Sequence, residues 1–141
     1  MQNKGERFPM KKKTVIWLVV CIVIVGAAIA VWVMISNTTK NLEALKSMEI
    51  ADVDLSRAND GVYDGSYSVF PISAKVRVTL KDHRIESIEL VEHKSGKGQA
   101  AEAIPAKVVE AQSLQVDTVS GATSSSQVIK MAIQNALQKA G

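Results

Sequence analysis

The fold class predicted by this sequence is a small α+β domain, an antiparallel sheet packed with two or three helices, preceded by one N-terminal transmembrane helix. Three observations predict it. From Thr14 to Ile35 the chain runs 22 residues without a charge. Between Gly61 and Val91 apolar side chains recur at every second position, and between Val128 and Leu137 they recur at helical spacing. A chain of 141 residues that gives part of its length to an apolar run has room for one modest folded domain.

The apolar run comes first. At roughly 1.5 Å per residue it reaches about 33 Å, enough for a hydrocarbon core of roughly 30 Å. A cleaved signal peptide is the rival reading, because Ala28-Ile29-Ala30 has the form of a cleavage triplet. Signal cores extend only about 7 to 15 residues, and here apolar character continues through Val31, Trp32, Val33, Met34 and Ile35, so the run reads as a retained anchor. Cys21, the one cysteine, falls inside it and reads as an apolar residue of the span; a lipidation site would need a small residue where Val20 stands.

Charge gives the expected orientation. Lys4, Arg7, Lys11, Lys12 and Lys13 against Glu6 make the segment before the span net +4, whereas the twelve basic and thirteen acidic residues after it make net −1. The basic end is expected to stay in the cytoplasm, with the folded part outside it. The overall +3 is then a topology signal, and without a basic stripe interleaved with aromatics the exported part gives no support for nucleic-acid binding. His83 and His93 are isolated and read as surface residues, and no Cys/His cluster suggests a metal. Asn37-Thr38-Thr39 fits a glycosylation triplet, a pattern common by chance.

The expected layout is a basic tail over 1–13, the membrane helix over 14–35, a polar juxtamembrane stalk, helical in part, over 36–59, and the folded domain over 60–141. Asn59-Asp60-Gly61 is a turn signal. The following GVYDGSYSV places Tyr63, Gly65, Tyr67 and Val69 on one face of a strand, and its glycines predict a bulge or a close backbone approach. Pro71 ends that strand. Val76, Val78 and Leu80 then alternate with Lys75, Arg77 and Thr79, a half-buried strand with one wet face. Lys81-Asp82-His83 turns the chain into a third strand over Arg84 to Val91, where a register slip between Ile85 and Ile88 predicts a bulge. His93 to Gly98 reads as a loop. Pro105 suits a first helical turn, so a helix is expected from there to about Gln112, burying Val108, Val109 and Ala111. Val128, Ile129, Ala132, Ile133, Ala136 and Leu137 form the buried stripe of the last helix.

Just before that stripe lies DTVSGATSSS, Asp117 to Ser126, with four consecutive hydroxyls from Thr123. Ser124 with Gln127 three residues later is a capping-box pattern, in which each side chain reaches the other's backbone amide. That explains Ser124 as a purely structural residue. The same geometry puts Thr123 one residue outside the helix, with its hydroxyl free near the helix's positive end, while Gly121 and Ala122 leave the approach uncluttered. Free amides and the dipole there suit a phosphate, bound or esterified to Thr123. Physics alone leaves these readings open.

Asp117-Thr118-Val119-Ser120-Gly121-Ala122-Thr123 resembles the flavinylation motif of the FMN-binding domain family, Asp-x-x-Ser/Thr-Gly-Ala-Thr/Ser. The family includes the C subunit of the sodium-translocating NADH:quinone reductase and the G subunit of Rnf-type complexes. Asp60 to Tyr67 is similar to its opening strand, and Arg84 to His93 and Ile104 to Ser113 to its middle, so the resemblance covers roughly Asp60 to Leu137. At Asp82-His83-Arg84 this chain lacks a glycine often found in relatives.

The resemblance implies that an FAD-dependent flavin transferase places FMN on Thr123 through a phosphoester, with Asp117, Ser120, Gly121 and Ala122 as matching motif positions and Ser124 beside them. It implies a membrane-anchored, extracytoplasmic electron-transfer flavoprotein served by membrane redox partners, a carrier more than a stand-alone enzyme. Two other readings stand beside it: a module that binds FMN or another phosphorylated ligand without a bond, and a structural subunit that has lost the flavin. Outside the span the only aromatic residues past the stalk are Tyr63, Tyr67 and Phe70, so a flavin ring is expected against aliphatic surface.

Overall fold

A computed structural model of the protein describes residues 11–141. The expected basic tail over 1–13 therefore lies mostly outside the described residues. The described residues divide into two compact units, the first ending at Asn37 and the second running Thr38–Gly141. The first is occupied by helix α1, Lys12–Lys46, whose last residues belong to the second. At 35 residues α1 overruns the predicted span at both ends, and it is long and apolar enough to cross a membrane. Its apolar side chains point outward all round, with Trp17, Ile22 and Trp32 each 70% or more exposed, the pattern of a helix without an aqueous face.

The second unit is the predicted α+β domain. Strands β1 (Gly61–Val69), β2 (Ile72–Lys81) and β3 (Arg84–Lys94) form an antiparallel meander in that order. Helices α2 (Ile104–Ala111) and α3 (Thr123–Leu137) follow, and short 3-10 turns stand at Leu55–Arg57 and Gln99–Ala103. The side chains explain the two layers. On β2, Ile72, Ala74, Val76, Val78 and Leu80 are buried while Lys75, Arg77 and Lys81 face water. That inner face packs against α3, which lies on β1 and β2, while α2 lies on β3. Val76, Val78, Val128, Ile129 and Ile133 are wholly buried, each burial stabilising by roughly 1.5–3 kcal/mol.

The predicted glycine approach in β1 is present. A Cβ on Gly65 would collide with the carbonyl oxygen of Ala132 and lie 2.6 Å from the amide nitrogen of Ala136, so this glycine lets α3 settle directly on the strand. The expected bulge in β3 is also present: Thr79 pairs with Ser87 and Leu80 with Ile85, leaving Glu86 as the extra residue. A second bulge leaves Val91 unpaired and carries the strand on to Lys94, beyond the predicted end. At the β2–β3 turn Asp82 and His83 take φ of 50° and 59°, as a type I′ hairpin requires. The missing glycine is compensated there by His83, whose Nδ1 donates to the Ala58 carbonyl at 3.1 Å.

Four expectations are corrected. Residues 45–58 are more than a stalk, because Leu45, Ile50 and Ala58 are 2–4% exposed and belong to the core. Ala111 is exposed, since it stands one turn beyond the exposed Lys107, while Ile104, Pro105 and Val108 form the buried face of α2. His93 is no surface residue: its side chain is 2% exposed, with Nδ1 at 3.2 Å from Glu102 Oε1. Ser124 does not cap α3. The helix begins one residue earlier, at Thr123, with Ala122 in the cap position and no side-chain cap bond.

Candidate functional site

The residues between α2 and α3 are held by a series of specific bonds. Gln112 ends α2 in the left-handed region at φ 53°, and its side-chain amide pairs with both backbone groups of Ile85 at 2.9 Å. Asp52 then receives Ser113 Oγ and, at 3.0 Å, the Leu114 amide. Burial raises the Asp52 carboxyl, but the bonds from Ser113, Leu114 and Val53, with the charge of Lys130, outweigh it and hold the group below its ordinary value. Lys130 donates from Nζ to the Val116 carbonyl at 2.9 Å. Burial pushes its ammonium below the ordinary value against the opposing charges of Asp117 and Asp52.

Next comes a tight turn. The Ala122 amide bonds back to the Val119 carbonyl at 2.9 Å, and Gly121 supplies the positive φ, 77°, that the third position of a type II turn needs. Ser126, wholly buried, fastens this turn to the helix: its Oγ accepts from the Val119 amide at 3.0 Å and donates to the Ala122 carbonyl at 2.8 Å. Ser126 thus ties the turn to the helix without capping it, and the capping role expected of Ser124 is left unfilled. Gln127 is turned toward the Met48 carbonyl, away from the reciprocal bond the box requires.

Because the first intrahelical bond of α3 runs from the Ser126 amide to the Ala122 carbonyl, the amides of Thr123, Ser124 and Ser125 have no helical acceptor. They stand at a concave site of about 350 Å³ lined by Lys46, Ile72, Ser95, Lys97, Gly98, Gly121, Ala122, Thr123, Ser124 and Ser125. Thr123 is half-buried, and among the described residues its hydroxyl has no hydrogen-bond partner. Among the described residues, two lysines and no carboxylate line the site. A Cβ at Gly121 would meet nothing within 4 Å, so the mouth in front of the turn is open. On the far side Gly98 presses against the start of α3.

The donor set fits a phosphate: unpartnered amides at a helix N-terminus, ammonium groups and a free hydroxyl. It also fits the phosphate end of FMN, and among the described residues no aromatic side chain lines the site for a flavin ring to stack on. Of the residues singled out in the sequence, Gly121, Ala122, Thr123 and Ser124 are brought together here, while Asp117 and Ser120 lie outside the lining. Asp117 stands in the field of Lys130, in the loop leading to the turn. Sequence reasoning missed Lys46, Ser95, Lys97, Gly98 and Ser125. The Ser95-Gly96-Lys97-Gly98 run was visible as a loop, but nothing local said that it would face α3.

Residues 71–138 match the model of the FMN-binding domain family. An uncharacterized protein of Treponema pallidum (strain Nichols) is similar at 39% identity over 83 residues, which is 57% of this chain and 23% of that protein. The chain thus spans about a quarter of the length of this relative. The matched segment begins at the β1–β2 turn and includes β2, β3, α2, the Gly121 turn and Thr123. The segment from residue 71 to residue 138, with the concave site at the head of α3, therefore belongs to the FMN-binding domain family.

Proposed function

We propose that this protein is a membrane-anchored electron-transfer flavoprotein that carries FMN on Thr123 through a phosphoester bond. The observation that carries the reading is the position of Thr123: first residue of α3, hydroxyl without a protein partner, beside free amides and two lysines, inside an FMN-binding domain. The motif residues Asp117, Ser120, Gly121 and Ala122 shape or present the attachment turn.

Attachment needs a second protein, an FAD-dependent flavin transferase. The Thr123 oxygen forms a bond to the FMN phosphorus of FAD as the pyrophosphate bond breaks; AMP leaves with the bridging oxygen, and the hydroxyl proton passes to a base on the transferase. No redox change occurs in that step. Bound FMN supplies reversible one- and two-electron chemistry. A covalent link suits a carrier on the outer face of a cytoplasmic membrane, where a flavin lost by diffusion is not recovered. The apolar α1 and the basic segment before it support that placement, with membrane proteins as electron donor and acceptor.

The test is to co-express the full chain with a flavin transferase acting in the same compartment and compare wild type with Thr123→Ala by intact mass and in-gel flavin fluorescence. Wild type is expected to gain one FMN less one water, and Thr123→Ala nothing. An unmodified wild-type Thr123 peptide beside an active transferase rejects the bond. The same amides and lysines would serve a free phosphate, which favours reversible binding as the second reading. Acid precipitation separates the two, because only esterified flavin stays with the protein.

A further inference from the structure

We propose that Lys97 and Lys46 form a two-cation clamp on the flavin phosphate at the head of α3, making the site selective for phosphorylated flavins. This rests on the reading of Thr123 as the flavin site and adds the residues that select the ligand's charge.

The two lysines come from separate parts of the domain. Lys97 belongs to the loop between β3 and the 3-10 turn at Gln99–Ala103, and Gly98 beside it is packed so tightly on Ser125 that a Cβ there would lie 2.7 Å from Ser125 Cβ. That contact fixes the loop against the first turn of α3. Lys46 is the last residue of α1, in the unit that holds the folded domain, and follows Leu45, which is 2% exposed in the core. Both side chains line the same site as Thr123. Lys46 also meets Glu43 Oε1 at 2.7 Å, an exposed pair three residues apart, and such pairs are weak enough to exchange for a phosphate. Lys97 has no carboxylate partner among the described residues. A phosphate placed against the amides of Thr123, Ser124 and Ser125 would thus share its site with two lysines, and among the described residues the lining holds no acidic residue to oppose it.

The clamp is tested with the flavin-free full chain in detergent micelles, following backbone amide shifts of Gly98, Thr123, Ser124 and Ser125 during titration with FMN, riboflavin or inorganic phosphate. FMN and phosphate are expected to shift these amides and riboflavin to leave them in place. Lys97→Gln and Lys46→Gln should each weaken FMN about threefold or more and together about tenfold or more, with the effect shrinking at high salt. Lys107→Gln, at an exposed position on α2, serves as the control and should bind like wild type. The altered lysines are exposed, and unchanged amide spectra away from the site confirm folding. Riboflavin binding as tightly as FMN, or a double variant binding FMN like wild type, overturns the clamp.

Loading by the transferase, read by intact mass, keeps the two proposals apart. A double lysine variant loaded at the wild-type rate overturns the clamp and leaves esterification of Thr123 standing. A wild type that binds FMN through both lysines but is never loaded supports the clamp and rejects the ester.

Discussion

Gly98 and Ser125 stand in such close contact that no side chain fits between them: a Cβ built on residue 98 collides with Ser125 Oγ and lies 2.7 Å from Ser125 Cβ. Gly98 has an ordinary φ of −89°, so its backbone conformation is open to any residue. The constraint is purely one of space, and it joins the Lys97 loop to the head of the helix that carries Thr123. Gly98→Ala is therefore expected to destabilise by about 1–3 kcal/mol through overpacking. It should also slow loading of Thr123 by pushing the loop off the site. Thermal unfolding and the rate of mass gain measure both; wild-type values for each would mean the loop does not brace the site.

Ser126 and Ser124 separate the structural reading from the local one. Ser126→Ala removes a buried hydroxyl that accepts from the Val119 amide and leaves that amide without its partner, a loss of about 1–3 kcal/mol. Ser124→Ala should change stability by less than about 0.5 kcal/mol, because Ser124 makes no capping bond. Urea unfolding of the two variants decides it, and the opposite order would restore the capping box.

Gly65 supports α3 where the helix crosses β1. An added methyl meets helix backbone, Ala132 and Ala136, instead of a side-chain tip that can turn away. Gly65→Ala should destabilise by about 3 kcal/mol or more, at the upper end for overpacking. A loss below about 1 kcal/mol would show that α3 can lift from the sheet at little cost.

Asp52 links the segment after α1 to the loop before the motif, and its carboxyl is held below its ordinary value near 3.8. A depressed folded-state value means that the stabilisation is present above that ordinary value and disappears as pH falls through the folded one. Asp52→Ala should thus lower stability by about 1 kcal/mol at neutral pH, modest because the side chain is exposed. The gap should narrow below about pH 4 as the wild-type carboxyl takes up its proton. A gap that widens in acid would assign the effect to packing instead of charge.

The periodic part of the molecule was legible in the sequence because each signal is local. Alternation fixed the inner face of β2, the slip between Ile85 and Ile88 located the Glu86 bulge, and the helical stripe from Val128 to Leu137 is buried at every position named. The spacing of Asp117 to Thr123 marked the motif, and the uncharged run from Thr14 marked the long apolar helix. Those features depend on side-chain order along a few turns of chain, which no later packing rearranges.

Tertiary structure decided what depends on partners distant in sequence. Whether Ser124 or Ser126 secures the turn depends on where the Val119 amide comes to rest, and Gln127, which a local box would use, is drawn instead toward Met48. Residues 45–58 read as a polar stalk because their apolar members are interleaved with charges and hold no clear period, yet Leu45, Ile50 and Ala58 find the core once the sheet and α3 exist to receive them. Lys46 and Lys97 lie 51 positions apart and come to one site only because Gly98 admits close contact with Ser125 while Leu45 anchors the end of α1. The sequence by itself determined the periodic elements and where the motif lies; folding decided which amides keep no helical acceptor and which lysines share their site, because burial and hydrogen bonding are settled between elements and not within them.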